Sequence, residues 1–331
     1  MRVLFDHQIF SYQMFGGASR YFVELMQAFH AAGDPAFELA VAESPNEYLA
    51  TAPFYRGVTV RRPGRLGLFR AFARNELATR RAARRHRHDV LHSTFYDPMI
   101  TRAIGNAKLV VTMHDMTPEL HPEQFDLSSW YGRFVTRRWI DGKRMLCLRA
   151  DAIVAVSENT KRDVVRVYGI DPDRITVTHL GTRLSAEPGA PRVAGLPERY
   201  VLFVGTRNTY KNFPLFVEAV APVVLADRTL GVACIGGGAF TEAELALIAK
   251  HGISERVVQR NVAEHELAAC YAHAEVFVFP SLHEGFGIPV VEALACNCPA
   301  VLADASCFPE IAGDAAIYFD PARADSLTAA L

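Results

Sequence analysis

Two glutamates, eight positions apart, are the residues of this chain best placed to do chemistry. Glu284 lies in a glycine-punctuated loop after an apolar run, and Glu292 lies on a helix predicted to begin at Pro289. Glycines at 285 and 287 let the backbone approach a ligand closely, and a helix start presents unpaired N–H groups. The stretch therefore suits an anionic or hydroxyl-rich ligand.

The placement of the two carboxylates indicates separate roles. One lies in a loop and the other on a helix, so they are too far apart for the ~5 Å carboxylate pair of a retaining glycoside hydrolase. We expect them to serve different parts of one long ligand. With Glu292 in the first turn of its helix, the helix dipole favours the ionised carboxylate, which accepts hydrogen bonds from hydroxyls.

Two cations follow another predicted strand, at residues 200–204. Arg207 and Lys211 lie on a loop led by a glycine, just before a predicted helix. A guanidinium is a planar fork and an ammonium is a compact point charge, and both bind phosphate. We expect this pair to hold a diphosphate; the alternative is two exposed cations on a surface loop.

Two loops in the first half of the chain also follow predicted strands. The first has a helix start made of small and polar residues: Gly16, Gly17, Ser19 and Arg20. It is typical either of a backbone-lined acceptor or phosphate site or of a simple tight turn. The second loop carries His114 and Asp115. A histidine at a strand end is as often structural as functional.

Short apolar runs alternate with longer amphipathic ones along the whole chain. The predicted strands are 2–5, 38–42, 58–61, 90–92, 109–113, 152–156, 175–178, 200–204, 231–235, 257–258, 276–279 and 300–302. The predicted helices are 19–32, 68–87, 129–149, 158–168, 213–225, 241–250, 264–273 and 289–296. This alternation indicates α/β architecture with parallel sheets covered on both faces. A Pro/Gly-rich linker at 185–197 predicts two doubly wound domains, 1–185 and 186–331, with a cleft between them.

Composition indicates a soluble globular protein. The chain has 331 residues, of which 50% are hydrophobic and 21% charged, enough for two domains with separate cores. No run reaches the ~20 apolar residues of a membrane span. Residues 1–10 include charged side chains, so we interpret them as a first strand rather than a signal peptide, and we expect a cytoplasmic protein.

The six cysteines show no spacing typical of a disulfide or zinc framework. Cys296 and Cys298 are separated by one residue, but no second pair or nearby histidine completes a set of four ligands. We expect reduced, structural thiols and no metal.

Positive charge is concentrated in the first half of the chain. Residues 1–150 hold 21 Lys and Arg against 14 Asp and Glu, while the remainder holds 14 against 22. The segment Arg56–Arg87 carries most of the excess, and its apolar residues follow a helical stripe: Leu68, Phe69, Phe72, Ala73 and Leu77. This pattern predicts either a solvated helix face or a helix that docks on an anionic membrane. No aromatic interleaving accompanies the arginines, so we expect no nucleic-acid partner.

Motifs in the same order resemble those of the family-4 retaining glycosyltransferases of the GT-B fold. The matching segments are Phe15–Phe22, Val111–Asp115, Val204–Phe213, Pro280–Pro289 with Glu292, and Pro309–Ala316. The two glutamates around the sequence EGFG are the most specific part. The resemblance implies two Rossmann-like domains facing across a cleft, an N-terminal one for the acceptor and a C-terminal one for a nucleotide sugar.

The resemblance also implies roles for residues on the donor side. Glu284 contacts the donor sugar near the reacting carbon, and Glu292 accepts the ribose hydroxyls. Arg207 and Lys211 neutralise the diphosphate. The other implied donor contacts are the backbone of Phe286, Gly287 and Ile288 for sugar hydroxyls, and the backbone of Asn261 and Val262 for the base. No cofactor is implied.

On the acceptor side the resemblance implies a second set of residues. His114 approaches the donor sugar from across the cleft, so it is grouped with Glu284 as catalytic. Gly17 lies near the diphosphate. The residues expected near the acceptor are Gly16, Ser19, Arg20 and Asp115. Their partner is a glycan or a lipid-linked glycan.

Three features depart from the family pattern. Tyr210 stands where many relatives carry a basic residue, and Cys296-Asn297-Cys298 replaces the usual glycine. The chain also ends at Leu331 within a helical pattern, whereas the family's fold continues with helices that return to the N-terminal domain, so we expect a truncated C-terminal domain.

The predicted function is transfer of a hexose to a glycan or lipid-linked glycan during synthesis of a surface polysaccharide such as O-antigen. The variants GGASRYF and YKNF resemble bacterial mannosyltransferases, which favours GDP-mannose as the donor and leaves a UDP-hexose as the alternative. A catalytically inactive GT-B partner that binds sugar nucleotide or membrane is a further alternative. The basic helix predicts a peripheral location on the inner face of the cytoplasmic membrane.

Overall fold

A computed structural model describes residues 1–60, 64–85, 87–102, 104–124, 129–187, 189–207 and 209–331. The chain divides into two compact units, Met1–His179 and Leu180–Leu331. The division falls a few residues before the predicted boundary at 185/186. The acceptor and donor roles given to the two units stay predictions.

The main sheet of the first unit is parallel throughout. The strands are β1 (Arg2–Phe5), β2 (Ala36–Leu39), β3 (Glu43–Ser44), β4 (Val58–Thr59), β5 (Val90–Ser93), β6 (Lys108–Met113), β7 (Ala152–Ala155) and β8 (Ile175–Val177). The order in the sheet is β2-β1-β5-β6-β7-β8, and β3 pairs with β4 separately. Because every pair in the main sheet is parallel, the carboxyl ends of its strands meet at one edge.

Helices cover both faces of this sheet. They are α1 (Gln8–Tyr12), α2 (Gly17–Ala32), α3 (Glu47–Ala50), α4 (Arg65–Arg84), α5 (Thr117–Leu120), α6 (Trp130–Arg149) and α7 (Glu158–Tyr168), with 3-10 turns at Pro98–Arg102, Pro122–Gln124 and Pro172–Arg174. Phe5 of β1 packs with α2, whereas its neighbour Leu4 belongs to the core that α4, α6 and α7 cover. Successive residues of a strand point to opposite faces, so one strand serves both cores.

The second unit repeats the architecture. Its strands are β9 (Arg199–Val204), β10 (Leu230–Ile235), β11 (Val257–Arg260), β12 (Val276–Phe279), β13 (Ala300–Ala303) and β14 (Ile317–Phe319). The order is β11-β10-β9-β12-β13-β14, again with parallel pairs only. The four central strands, β9, β10, β12 and β13, are buried over most of their length, which explains their continuous apolar sequences.

The helices of the second unit are α8 (Phe213–Ala226), α9 (Glu242–Lys250), α10 (Glu264–Ala272), α11 (Ile288–Ala295), α12 (Phe308–Ala312) and α13 (Ala324–Ala330). Short 3-10 turns lie at Thr209–Lys211, Ser254–Arg256 and Gly313–Ala315. Side chains from the strands and these helices form one continuous core. The predicted α/β fold with two parallel, doubly wound sheets is confirmed.

The first strand has the predicted bounds, 2–5, but the rest of the segment 1–10 does not continue it. Strand β1 ends at Phe5, and Ile9 and Phe10 belong to α1. The cause is Asp6, whose buried carboxylate accepts the backbone N–H of Gln8 at 3.1 Å and closes a turn. Aspartate side chains favour such local turns over continued strand pairing.

Two other predicted strands are shorter or shifted. The strand predicted at 38–42 ends at Leu39, because Asn75 of α4 accepts hydrogen bonds from the backbone N–H groups of Ala42 at 2.8 Å and Glu43 at 3.0 Å. The strand predicted at 58–61 is described only as Val58–Thr59, and Arg61 lies outside the described residues. A helix residue thus replaces the sheet partner that the alternating pattern predicts.

Helix α7 and strand β12 have the predicted bounds. The Ser157 hydroxyl caps α7 by accepting the Thr160 N–H at 3.0 Å, as its position before the helical pattern predicts. In the part of the chain that the structure describes, no helix is long and apolar enough to cross a membrane.

Candidate functional site

The loops after β9, β10, β12 and β13 lie at one edge of the second sheet, because these strands are parallel neighbours. Gly205 N–H donates to the Ile235 carbonyl at 2.8 Å, which ties the loop after β9 to β10. Leu282 N–H donates to the Tyr210 carbonyl at 2.8 Å, which ties the loop after β12 to the loop after β9. The edge is therefore a connected surface of loops, the usual place for a ligand in this architecture.

An ion pair joins the two loops that the sequence singles out. The Lys211 ammonium donates to Oε1 of Glu284, and the two side chains are 12% and 17% exposed. The Lys211 Nζ also lies 4.9 Å from the centre of the Phe279 ring and 5.2 Å from that of Tyr210. Partial burial strengthens the attraction between the charges and raises the cost of leaving either one unpaired. Two predicted site residues, Lys211 and Glu284, are thus in direct contact.

Ser306 fixes the backbone of Glu284. The Glu284 N–H donates to the Ser306 hydroxyl at 3.1 Å, and that hydroxyl donates to the Glu284 carbonyl at 2.6 Å. Ser306 has a positive φ of 55°, an uncommon conformation for a residue with a side chain. Nothing in the spacing of the sequence indicates this contact, because Ser306 follows a different strand.

The glycine before α11 is required by packing. Gly287 has φ 83°, and a side-chain carbon there would lie 3.1 Å from the Phe308 ring. Phe286 is buried beside it and Ile288 is the first residue of the helix. The helix therefore begins one residue before the predicted start, and Pro289 is its second residue. The start of α11 therefore lies at the same edge of the second sheet as Glu284.

Glu292 lies deeper in its helix than predicted. It is the fifth residue of α11, so it lies outside the first turn and outside the reach of the helix dipole. Its carboxylate is buried and accepts a hydrogen bond from the Tyr271 hydroxyl at 3.2 Å. The predicted effect of the dipole on Glu292 is wrong, and a buried tyrosine supplies a hydrogen bond instead.

Arg207 points into its own unit. Its side chain is 3% exposed, and its Nε donates to Glu244 at 2.7 Å. Its two other nitrogens donate to carbonyls of the loop after β10, including Gly236 at 3.1 Å and Gly238 at 2.9 Å. The guanidinium also lies 4.7 Å from the Phe240 ring centre. With its donors engaged in this way, Arg207 holds the glycine-rich loop, and its predicted contact with a diphosphate finds no support in this placement.

The segment predicted to hold a nucleotide base follows β11. Val262 packs against the core of the unit. The Gln259 amide donates to the Asn261 side-chain oxygen at 3.1 Å and to the Gly236 carbonyl at 3.2 Å, so this segment is joined to the loop that Arg207 holds. The structure thus brings the predicted base segment and the glycine-rich loop together.

His114 follows β6 of the first unit and is held among aromatic rings. Its backbone N–H donates to the Tyr96 hydroxyl at 3.1 Å, and its ring lies 5.2 Å from Tyr21 and 5.8 Å from Phe22. Burial lowers the pKa of His114 to about 4, with the nearby charge of Asp115 opposing this shift and that of Lys143 adding to it. Its Nε2 is buried without a hydrogen-bond partner among the described residues. The ring is therefore a neutral group at physiological pH.

Lys143 of α6 supports this loop, a contact that the sequence pattern does not reveal. Its buried ammonium donates to the Asp115 carbonyl at 3.0 Å and to Glu119 at 3.2 Å, and Glu119 accepts the Tyr168 hydroxyl at 2.6 Å. The Asp115 carboxylate accepts the Thr117 N–H at 3.0 Å. Asp115 thus has a turn-forming role in addition to its predicted place near an acceptor.

The double-glycine loop of the first unit is a helix start, as predicted. Gly16 precedes α2 and Gly17 is its first residue. Ser19 is completely buried: its hydroxyl donates to the Gly16 carbonyl at 3.0 Å and its N–H donates to the Gln13 side chain at 3.2 Å. Ser19 therefore shapes the turn, and its place on the acceptor side stays a prediction. Arg20 is half-buried.

The basic segment forms a helix whose exposed face differs from the prediction. The predicted apolar stripe is not the buried face: Leu68, Phe69, Ala73 and Leu77 are exposed, and Phe72 is half-buried. The core face is made of Ala71, Asn75, Thr79, Ala82 and Ala83. Small and polar residues suffice there because Asn75 and Thr79 bond the backbone after β2. Arg61 and Arg62 of this segment lie outside the described residues.

A second basic helix, α6, lies on the same side of the sheet. Ala82 and Ala83 of α4 and Leu146 and Cys147 of α6 share one core. A row of aromatic rings connects the two helices, with centroid distances between 5.5 and 5.9 Å: Phe72, Tyr12, Phe95 and Trp139. The exposed apolar and basic residues of α6 include Trp130, Phe134, Arg137, Arg144 and Leu148. We call the exposed sides of both helices the α4–α6 face.

Comparison with known proteins establishes the family. Residues 15–186, more than half of the chain, match Glycosyltransferase Family 4, and residues 191–331 match Glycosyl transferases group 1. The chain belongs to glycosyltransferase family 4. It is 27% identical over 238 residues to the O-antigen chain mannosyltransferase B of Escherichia coli, covering 67% of this chain and 60% of that protein. The chain spans about three fifths of the length of the curated relatives it matches.

Solved structures confirm the predicted fold. The sucrose-phosphate synthase of Thermosynechococcus elongatus matches with a TM-score of 0.69 and 18% identity, over 99% of this chain and 88% of that one. HepE of Anabaena, solved in complex with UDP and glucose, matches with a TM-score of 0.70 at the same identity and coverage. The chain therefore has the GT-B fold, with two Rossmann-like units.

The pKa of His114 leads to a prediction about stability. The unfolded imidazole titrates near 6.5 and the folded one near 4. Above pH 6.5 the His114 imidazole is neutral in both the folded and the unfolded chain. As the pH falls from 6.5 towards 4, the unfolded chain binds a proton that the folded chain does not, so the free energy of unfolding decreases. His114→Gln should remove this loss, which amounts to about 1–2 kcal/mol at pH 5.

Urea unfolding between pH 7.5 and 5, followed by tryptophan fluorescence, measures this difference. Both tryptophans, Trp130 and Trp139, lie in α6, so the signal reports the first unit. The matched control is His30→Gln, which changes an exposed histidine of the same unit and should keep the wild-type profile. If the His114→Gln variant loses stability as steeply as the wild type, His114 is not the buried neutral group described.

Proposed function

We propose that the chain is a glycosyltransferase that moves a hexose from a nucleoside-diphosphate sugar to a glycan or lipid-linked glycan. The observation that carries the proposal is the Lys211–Glu284 ion pair at the carboxyl edge of the second sheet, in a chain of glycosyltransferase family 4. A cation and a carboxylate in contact at a ligand-binding edge suit a ligand that has both anionic and hydroxyl groups. A nucleotide sugar has both.

Each donor group has a partner of fitting chemistry in this proposal. Lys211 neutralises the diphosphate, and the N–H groups at the start of α11 add to the positive potential. Glu284 accepts hydroxyls of the donor sugar close to its reacting carbon. Glu292 accepts the ribose hydroxyls. Because Arg207 is engaged with the loop after β10, we assign Lys211 alone to the diphosphate among the two predicted cations. The role of His114 on the donor sugar stays a prediction.

The favoured donor is GDP-mannose, with a UDP-hexose as the alternative. The E. coli relative named as an O-antigen mannosyltransferase supports mannose, as do the GGASRYF and YKNF segments. The name of the same relative supports a surface polysaccharide such as O-antigen as the product.

A front-face displacement is the proposed route of a reaction that retains the configuration of the sugar. The bond from the anomeric carbon to the diphosphate oxygen breaks first, and its electron pair leaves with the diphosphate. The acceptor oxygen bonds the same face of the carbon and gives its proton to the departing phosphate. A sugar adduct on any protein carboxylate, detected by mass spectrometry, would contradict this route.

A catalytically inactive partner protein is the second candidate. Hydrolysis of the nucleotide sugar in the absence of an acceptor separates the two candidates, because only an enzyme accelerates it.

We also propose that the α4–α6 face docks on an anionic membrane that carries the lipid-linked acceptor. Leu66 and Phe69 at the start of α4 are 83% and 72% exposed, and exposed Arg70 and Arg74 follow on the same helix. Each basic residue near an anionic lipid surface adds about 1 kcal/mol, and apolar side chains add the energy of leaving water. Exposed Trp130 and Phe134 extend the same surface along α6.

Substitutions of Glu284 and Glu292 should have different effects on catalysis and donor binding. Glu284→Gln should lower kcat by about a hundredfold or more while the donor Kd changes less than about threefold, because the carboxylate acts near the reacting carbon. Glu292→Gln should weaken donor binding by about tenfold or more with a smaller effect on kcat, because hydrogen bonds to a charged group are lost. Initial rates and calorimetric donor binding check both effects.

The control for both is Glu275→Gln, an exposed carboxylate at the amino end of β12 that pairs with Arg199 at 2.9 Å. It should leave kcat and Kd unchanged. Equal losses of affinity in the Glu284 and Glu292 variants, with kcat intact in both, would contradict the assigned roles.

Membrane docking predicts a defined loss on mutation of α4. Leu66→Ser combined with Phe69→Ser should lower the partition coefficient onto vesicles containing phosphatidylglycerol by about tenfold or more, because two large apolar side chains no longer enter the lipid. Both side chains are exposed, so folding should not suffer. Vesicle co-sedimentation measures the coefficient.

The matched control is Leu245→Ser, an exposed leucine on α9 of the second unit. Binding should also fall on pure phosphatidylcholine vesicles and at high salt, because screening weakens the attraction of arginines to anionic lipid. Unchanged binding of the double variant, or equal binding to neutral and anionic vesicles, would rule out docking through this face.

A further inference from the structure

We propose that Tyr271 is a positioning residue that holds the Glu292 carboxylate in the orientation needed to bind the two ribose hydroxyls of the donor. The inference rests on the proposed function, since it gives the ribose contact of Glu292 its geometry. Tyr271 lies on α10, a different element from the loop motifs that define the candidate site.

Tyr271 is fixed in place by its surroundings. Its side chain is 0% exposed, and its ring packs edge-to-face against Phe277 of β12 with centroids 5.4 Å apart. From this position its hydroxyl donates to Oε2 of Glu292 at 3.2 Å. A ring enclosed in this way has a single orientation, so the direction of its O–H bond is determined by the fold.

The direction of the hydrogen bond is also determined. Burial raises the pKa of Tyr271 well above 10, and the neighbouring Glu292 charge raises it further. The phenol therefore keeps its proton at every pH at which the protein is used. It is the donor in this bond, and the carboxylate is the acceptor.

A carboxylate needs such a partner to recognise two adjacent hydroxyls. The last torsion of a glutamate side chain has a broad energy profile, so an unsupported carboxylate rotates readily. Binding a vicinal diol requires one orientation of both oxygens, and fixing that orientation before binding lowers the entropic cost. Tyr271 supplies the fixed contact on Oε2.

The burial of Glu292 also supports a role in ligand recognition. A buried charge costs stability unless it is hydrogen-bonded, and apolar residues of similar volume often stabilise a protein equally well or better. Glu292 is 3% exposed within an otherwise apolar helix face that includes Val290 and Ala293. A polar pair, Tyr271 with Glu292, in this place is therefore better explained by recognition than by stability.

Removal of the Tyr271 hydroxyl tests the inference when two ligands are compared, one with the ribose hydroxyls and one without them. In Tyr271→Phe the ring keeps its packing, and the carboxylate loses one donor. The Kd for the nucleoside diphosphate that the wild type binds should rise about five- to tenfold, a factor within the range that one ordinary hydrogen bond contributes. The Kd for its 2′,3′-dideoxy analogue should change less than about twofold, because that analogue makes no ribose contact with Glu292.

The matched control is Tyr200→Phe in the same unit. Tyr200 is buried and its hydroxyl donates to the Cys270 carbonyl at 2.8 Å, so the chemical change is the same but Glu292 is not its partner. Both Kd values should stay at their wild-type levels in this variant. Calorimetry gives the constants, and the ligand-induced rise in melting temperature gives the same comparison if either variant folds incompletely.

The outcomes separate the inference from the proposed function. An equal weakening of the parent and dideoxy ligands by Tyr271→Phe would overturn the positioning role in favour of a merely structural one, and so would no weakening of either. A wild type that binds the dideoxy analogue as tightly as the parent would overturn the ribose contact of Glu292 itself. A wild type that binds no nucleoside diphosphate would overturn the proposed function. In steady-state kinetics Tyr271→Phe should raise the donor KM and leave kcat within about twofold.

Discussion

The attraction between Lys211 and Glu284 is the interaction on which the rest of the candidate site depends. Two parallel strands, β9 and β12, are neighbours in the sheet, so the loops that follow them must start side by side. Opposite charges at the tips of those loops hold them together at low exposure. A ligand that enters must satisfy both charges, because a partly buried charge without a partner is costly. This constraint selects ligands that carry an anion and hydroxyls within a short distance.

Other contacts hold the pair and the neighbouring parts of the same edge in place. Arg207 uses its guanidinium to fix the glycine-rich loop after β10, and Ser306 clamps the backbone of Glu284 from the loop after β13. Tyr271 contacts Glu292 from α10. Such supports keep a site preorganised, which lowers the entropic cost of binding.

Much of this arrangement could be predicted from the sequence, for a physical reason. Continuous apolar runs of four to six residues are distinctive of buried parallel strands, so the two sheets and the loops that carry Lys211, Glu284 and His114 could be located. The local pattern could not reveal contacts between distant elements. Ser306, Lys143 and Tyr271 contact partners that are distant in the chain. The contacts of Arg207 with Glu244 and the loop carbonyls are likewise not visible in the spacing of the sequence, which by itself predicts a ligand contact for Arg207. The hydrophobic pattern does not predict the buried face of α4, because small and polar residues form that face.

The most direct test of the central claim is a thermal-shift panel of nucleoside diphosphates and their sugars on the wild type and on Lys211→Met. If the ion pair marks the donor site, the diphosphates of one base will raise the melting temperature. The rise will grow with ligand concentration over Kd, corresponding to about 2.7 kcal/mol at a hundredfold excess over Kd. The Lys211→Met variant will lose most of this response, because the diphosphate loses its cation. No response of the wild type to any base, or an undiminished response of the variant, would contradict the account.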